Sequence, residues 1–347
     1  MSLTAHLAHG KQVLAALPAI AQLSPRVWRV LGCNPGSYTL QSTNTYLVGT
    51  GAARILVDTG EGQAAFPETL AEGMAQAGCS RIAQIIITHW HHDHLGGVPS
   101  VLHLCKSAST AAAAAPPPVR KFMPAADEEL FGGEGSIDPY SIMPRGEFVP
   151  LADGEIVQTE GARLRVVYTP GHANDHVCLV LEEEGSMFTA DNVLGTGTSV
   201  FKDLHAYLSS LRKMAEEKPE RLYPGHGPCV ENGEQRIVQY IEHRMRRVAQ
   251  VVGVLSDTFA AAGGGSGGAR PSGWSIERIT REMYAGLAEQ LVYPAMANTR
   301  QVLLALSKEG VVQEEAAADS WRLLVPVEEA LSVIGASSGN NKDTSKM

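Results

Sequence analysis

Seven consecutive residues, Thr88-His89-Trp90-His91-His92-Asp93-His94, follow directly on the apolar run Gln84 to Ile87. His92 lies between candidate ligands and is expected to face outward, which leaves the imidazoles of His89, His91 and His94 and the carboxylate of Asp93 as donors. In a turn, His89 and His91 can point to one cation while Asp93 and His94 reach a second. Nitrogen and carboxylate-oxygen donors suit zinc, manganese or iron. So many polar groups beside apolar strands would be costly to bury unless paired or bound to metal.

Three further donors share this context. His172 follows the run Leu164 to Tyr168 through Pro170-Gly171, Asp191 follows Met187 to Thr189, and His226 follows Leu222-Tyr223 through Pro224-Gly225. His6, His9, His103 and His205 stand alone and read as ordinary surface or core histidines. His176, four residues after His172, is a candidate neighbour of a ligand or a substrate contact. Asp58, at a strand end, is a candidate for orienting a ligand or for capping a turn.

The elements that must position these residues are short strands separated by Gly-containing turns: Asn44 to Val48, Arg54 to Asp58, Ile85 to Thr88, Leu164 to Tyr168, Val177 to Leu181 and Met187 to Thr189. Helical patterns at Ala65 to Ala77 and Leu204 to Glu217 lie between them, and such alternation argues a layered α/β domain. In an α/β sheet the strand ends lie along one rim, so donors far apart in sequence can meet in one cleft. Ser107 to Arg145, rich in Ala, Pro and Gly, reads as a surface insertion that buries little. Ile237, Tyr240, Ile241, Met245, Val248, Val251, Val252 and Leu255 recur at helical spacing. Ala260 to Gly273 has the composition of a flexible link. Ile276 to Leu291, Met296 to Lys308 and Val311 to Val325 then give helix, helix and hairpin, the pattern of a winged helix. The expected organisation is an extension over 1–24, a catalytic domain over 25–235 with its insertion at about 107–145, a helical and winged-helix-like domain over 236–334, and a disordered tail over 335–347.

Composition narrows the classes. With 347 residues, 44% hydrophobic and 19% charged, the chain reads as globular. No apolar stretch approaches the roughly 20 residues of a membrane span. The net charge of −9 supplies no basic field for nucleic acid. Five widely spaced cysteines, Cys33, Cys79, Cys105, Cys178 and Cys229, do not suggest a disulfide framework, and a reducing compartment is expected. No secretory signal is visible near Met1; the expectation is the cytoplasm or the mitochondrial matrix, with a weak peroxisomal address in Ser345-Lys346-Met347.

The His89–His94 run, Thr169-Pro170-Gly171-His172, Thr189-Ala190-Asp191 and Pro224-Gly225-His226-Gly227 resemble the metallo-β-lactamase superfamily, whose fold is an αββα sandwich. Asn44-Thr45-Tyr46-Leu47-Val48-Gly49-Thr50-Gly51, Asp58-Thr59-Gly60-Glu61, Asn192-Val193-Leu194-Gly195 and the winged-helix-like end resemble its β-lactamase-like protein 2 branch. The resemblance implies two divalent cations, zinc first and manganese or iron as alternatives. It puts His89, His91 and His172 on one, Asp93, His94 and His226 on the other, with Asp191 bridging. Ala190 departs from the glycine usual before that aspartate.

Two such cations roughly 3.5–4 Å apart turn a shared water into hydroxide and stabilise negative charge on the attacked group. Asp93 is then the candidate catalytic proton acceptor. The resemblance implies an endoribonuclease acting on single-stranded RNA, with a thioesterase acting on an acyl or polyketide chain of a carrier protein as the alternative; a binding scaffold comes last. Residues 272–335 carry five Lys or Arg against nine Asp or Glu, so duplex DNA is not an expected partner. Oligomeric state is not legible. His243-Arg244-Met245-Arg246-Arg247 is the densest basic cluster; it reads as a solvated face, or else as His243 and Arg244 turned toward the cleft to hold an anionic part of the substrate.

Overall fold

The computed structural model describes residues 14–108, 115–124, 138–263, 273–315 and 320–337. They group into two compact units, one comprising the described residues of 13–199 and 213–237, the other those of 200–212 and 238–347. Most of the expected tail, from residue 338 on, and most of the N-terminal extension lie outside the described residues, as does most of the Gly-rich stretch before residue 273; residues 335–337, expected to open the disordered tail, instead close a helix.

In the first unit, seven strands form one sheet in chain order: β1 (Ile20–Gln22), β2 (Val27–Leu31), β3 (Asn44–Val48), β4 (Ala53–Val57), β5 (Arg81–Ile87), β6 (Val119–Phe122) and β7 (Val149–Leu151). Pairing is antiparallel from β1 to β4 and parallel from β4 to β7. The second sheet holds β8 (Ile156–Thr159), β9 (Ala162–Tyr168), β10 (Val177–Leu181), β11 (Ser186–Ala190), β12 (Arg221–Pro224) and β13 (Val230–Glu231), in reverse chain order across the sheet.

Period-two alternation sorts the side chains. Tyr46, Val48, Ile55, Val57 and Ile86 face the second sheet and pack with Leu164, Val166, Val177, Leu179, Leu181, Phe188 and Tyr223. Leu47, Leu56, Ile85 and Ile87 face the other way, onto α1 (Phe66–Gln76) and α3 (Val98–Ala108), through Phe66, Leu70, Val98 and Val101. The central strands are buried on both faces, which is why they read as nearly continuous apolar runs. Between α1 and α3 lies the single turn α2 (His92–Leu95), and α4 (Pro139–Ile142) precedes β7.

The stretch expected to be a surface insertion differs from that reading. Among its described residues Val119, Lys121 and Met143 are buried, and β6 is an internal strand of the first sheet. Its four residues include Arg120 and Lys121, too short and too polar a run to announce a buried strand.

α5 (Leu204–Glu216) and α6 (Gly233–Gly263) each contribute residues to both units. The second unit also holds β14 (Trp274–Ser275), α7 (Ile276–Met283), α8 (Glu289–Lys308), β15 (Val312–Glu315), β16 (Ser320–Leu323) and α9 (Val327–Ser337). Its sheet runs β14-β16-β15, and Ile276, Ile279, Val302, Leu303, Leu306, Trp321 and Leu323 are buried. Ser275 caps α7 by accepting the Arg278 N–H at 3.2 Å.

Candidate metal centre

Topology explains the convergence. β9 and β11 each pair antiparallel with β10, and β11 pairs parallel with β12, so β9, β11 and β12 all point one way. Their ends deliver His172, Asp191 and His226 to one rim. In the first sheet β4 and β5 run parallel and end at Asp58 and at the His89–His94 turn. Hydrogen bonds join the two rims: Val177 N–H donates to the Thr88 carbonyl at 2.9 Å and Asn44 N–H to that of Gly225 at 2.7 Å. The Asn44 side-chain amide also donates to the carbonyls of Pro224 and Gly227, at 2.9 and 2.8 Å.

All seven sequence-predicted donors come together, in two groups: His89, His91, His172 and Asp191, and Asp93, His94, Asp191 and His226. In each, the donor atoms lie within 4.8 Å of one another. Asp191 belongs to both. Its Oδ2 lies 3.6 Å from His172 Nε2, while its Oδ1 lies 3.3 Å from both His94 Nε2 and His226 Nε2. Asp93 Oδ2 lies 3.1 Å from His226 Nε2 and 3.5 Å from His94 Nε2. His92 belongs to neither group.

The donor set fits cations rather than a self-contained hydrogen-bond network. His91 Nδ1 has two imidazole nitrogens at 2.9 Å, Nε2 of His89 and of His172. His94 Nε2, His226 Nε2 and Asp191 Oδ1 are buried with no hydrogen-bond partner. The far ring nitrogens fix which atoms carry lone pairs. His94 Nδ1–H donates to Asp58 Oδ2 at 2.7 Å and His226 Nδ1–H to the Ser42 carbonyl at 3.3 Å. Thr88 donates its hydroxyl to Asp58 at 2.9 Å and so receives His89 Nδ1–H at 3.0 Å. With Nδ1 engaged in this way, the Nε2 atoms of His89, His94 and His226 are the ones that face the other donors of their groups.

The two groups differ in protonation. Burial and the neighbouring histidines push His89 well down and His91 down to about 3, so both are neutral near neutral pH. In the second group burial works against charged histidines, but aspartates outweigh it: Asp93, Asp191 and Asp58 hold His94 well up, and Asp191 with Asp93 lifts His226 to about 9. Burial would likewise raise Asp93 and Asp191, yet His94 and His226 hold both below the usual carboxylate range.

Asp58 both orients His94 and caps a turn, its Oδ1 accepting the Thr88 backbone N–H at 2.8 Å. It holds a left-handed φ of 59°, as Ala190 does at 40°. His176 is wholly buried, its ring 5.2 Å from that of His89, with Nδ1 on the Thr169 hydroxyl at 3.0 Å. Thr88, Ser42 and Asn44 complete the site; sequence reasoning gave them no role, because their neutral side chains and backbone groups carry no metal-ligand signal.

Arg244 corrects its expected placement. It lies within the buried stripe Tyr240, Arg244, Val248, Val251 and Leu255, not beside it or on a solvated face, and is 4% exposed. Its guanidinium stacks on Phe201 at 4.7 Å and Tyr207 at 5.4 Å, rings of the same unit. His243 is half-buried.

Comparison with known proteins agrees with this architecture. Residues 38–226 match the pattern described as the Metallo-beta-lactamase superfamily, and residues 275–321 match the Beta-lactamase associated winged helix domain. The chain is 39% identical over 297 residues to the lactamase-like protein vrtG of Penicillium aethiopicum, covering 85% of this chain and 86% of that one. It is 36% identical over 300 residues to the beta-lactamase-like protein 2 homolog of Caenorhabditis elegans, covering 86% and 90%. It is also 36% identical over 295 residues to the atrochrysone carboxyl ACP thioesterase of Aspergillus fumigatus, covering 84% of each. Among solved structures, a beta-lactamase domain protein from Burkholderia ambifaria superimposes with a TM-score of 0.69 at 18% identity, covering 93% of this chain and 99% of that one. Two donor groups sharing one aspartate at the rim of a two-sheet sandwich, and relatives more than a third identical over most of their length, place the chain in the metallo-beta-lactamase superfamily.

Proposed function

We propose that the protein is a dinuclear metal-dependent hydrolase. The observation that carries this reading is Asp191, whose two oxygens face two different donor groups. His89, His91 and His172 would hold one divalent cation and Asp93, His94 and His226 the other, with Asp191 shared. Bound there, two cations activate water and stabilise negative charge on the attacked group; the nitrogen and oxygen donors suit zinc, and also manganese or iron. Asp93 is the more exposed of the two carboxylates, 23% against 12% for Asp191. Near neutral pH it is ionised; Oδ2 faces His94 and His226, and the other carboxylate oxygen would accept the proton that the attacking water gives up. Asp58 and Thr88 keep the rings of His94 and His89 in the tautomers that present Nε2.

For the substrate we favour an acyl thioester. It is the one activity named among the relatives above, in the atrochrysone carboxyl ACP thioesterase. The acidic balance of residues 272–335 adds no phosphate-binding field. Single-stranded RNA is the second reading, supported by similarity to the beta-lactamase-like protein 2 homolog and by the branch resemblance of the sequence. The test assays zinc- or manganese-loaded protein in parallel on single-stranded RNA and on an acyl N-acetylcysteamine thioester, with Asp93→Ala as control. Thioester turnover that Asp93→Ala abolishes is the expected result; cleavage of RNA alone would overturn the thioesterase reading.

A further inference from the structure

One buried ion pair of the first unit belongs to neither donor group. Lys121 lies in β6 and Asp175 in the loop between β9 and β10, and both side chains are wholly buried. Lys121 Nζ donates to Asp175 Oδ2 and, at 3.2 Å, to the Phe122 carbonyl. Burial pushes the Asp175 carboxyl up; Lys121 and the backbone amides of Asp175 and Trp90 favour its charged form. Taking two such charges out of water is costly, and apolar residues of similar volume commonly stabilise a fold as well or better. Stability alone does not account for this pair.

Its neighbours do. Trp90 stands between His89 and His91, Asp175 follows His172 by three residues, and Lys121 is in register with Ile87 at the end of β5. One carboxylate thus meets both chain segments that supply His89, His91 and His172. The same joint is braced by Tyr168, whose ring stacks on Phe122 at 4.2 Å and 14°, and whose hydroxyl donates to the Asn174 carbonyl at 2.8 Å.

We infer that Lys121 and Asp175 are positioning residues for the first donor group, fixing the His89–His91 turn and the His172 loop at the spacing one cation needs. This rests on the two-metal reading above. The test titrates cobalt(II) into metal-free wild type, the double variant Lys121→Met/Asp175→Leu, and Asp175→Asn, followed by calorimetry and visible absorption. The double variant leaves no orphaned charge, so it should keep its fold and a Tm within a few degrees of wild type. Wild type is expected to take two ions per chain. The double variant should bind one ion normally and the other roughly 10–100-fold more weakly, as when groups that orient ligands are lost, with an altered cobalt spectrum and a lower kcat at unchanged KM. Two ions bound with wild-type affinities and spectrum in the folded double variant would overturn the inference. Should that variant fail to fold, wild-type affinities in Asp175→Asn would overturn it equally. No cobalt uptake by wild type would overturn the two-metal reading, and this inference with it.

Discussion

The histidines of the centre are set against one another, and the sign of each shift fixes how the metal-free protein responds to pH. His91, about 3 when folded against 6.5 when unfolded, lets the unfolded chain bind more protons between those values, so stability rises with pH there. His226, about 9 when folded, reverses this: its contribution is complete below about 6.5 and lost as pH climbs through 9. His89 adds to the first effect and His94 to the second. Chelator-treated protein should therefore show maximal Tm near pH 6.5 and lose stability on both sides. Loaded protein should keep its Tm toward pH 9, because a cation replaces the protons of His94 and His226. A Tm of the metal-free form that climbs steadily from pH 6 to 9 would contradict these assignments. Asp58→Ala should lower metal affinity or activity by about 10–100-fold through His94, checked by zinc titration and kcat. All seven donors were legible because H-x-H-x-D-H and strand-end Gly-His or Ala-Asp pairs carry their own chemistry. Thr88 and Asn44 were visible in the same motifs, but their roles depend on a partner reached only through the fold.

At the level of elements, β3, β4, β9, β10 and β11 lie within a residue or two of their sequence-predicted limits, while β5, which leads into the His89–His94 turn, begins four residues before its expected start. β3, β4, β10 and β11 bury both faces and so leave a strong apolar signal, while β9 keeps Arg163 exposed and shows instead as an alternating run. β6 was not legible, because an internal strand that carries Lys121 looks polar until Asp175 is brought to it. Arg244 was misplaced for the same reason, since a guanidinium stacked on two rings fills a core position. The turn after β12 is sterically tight: a Cβ on Gly225 would lie 2.4 Å from Asp191 Oδ1 and 2.9 Å from His94 Cε1. Gly225→Ala should thus displace the shared carboxylate and cut metal content and activity together, with far-UV circular dichroism unchanged; full metal content in this variant would contradict the shared role of Asp191. At Ala190, left-handed strain of about 1–2 kcal/mol is set against the roughly 0.5–1 kcal/mol cost of a more flexible glycine. Ala190→Gly is accordingly expected to be neutral to slightly stabilising in thermal melts.

Across the whole molecule, the sequence pointed to a sandwich followed by a winged helix, and the domain matches at 38–226 and 275–321 agree. Among the described residues no helix is long and apolar enough to cross a membrane, and all five cysteines are free. What the sequence could not rank was the substrate, because a centre of the proposed kind could act on any polarisable acyl or phosphoryl group and the residues that would select between them carry no comparable motif. The proposed two-metal centre is open to direct measurement: elemental analysis of protein stripped with chelator, reconstituted in excess zinc or manganese and freed of unbound ions, alongside Asp191→Ala. Wild type should retain two ions per chain and Asp191→Ala clearly fewer, at an unchanged circular dichroism spectrum. Wild type retaining one ion or none, or Asp191→Ala retaining two, would contradict a centre built on a shared aspartate.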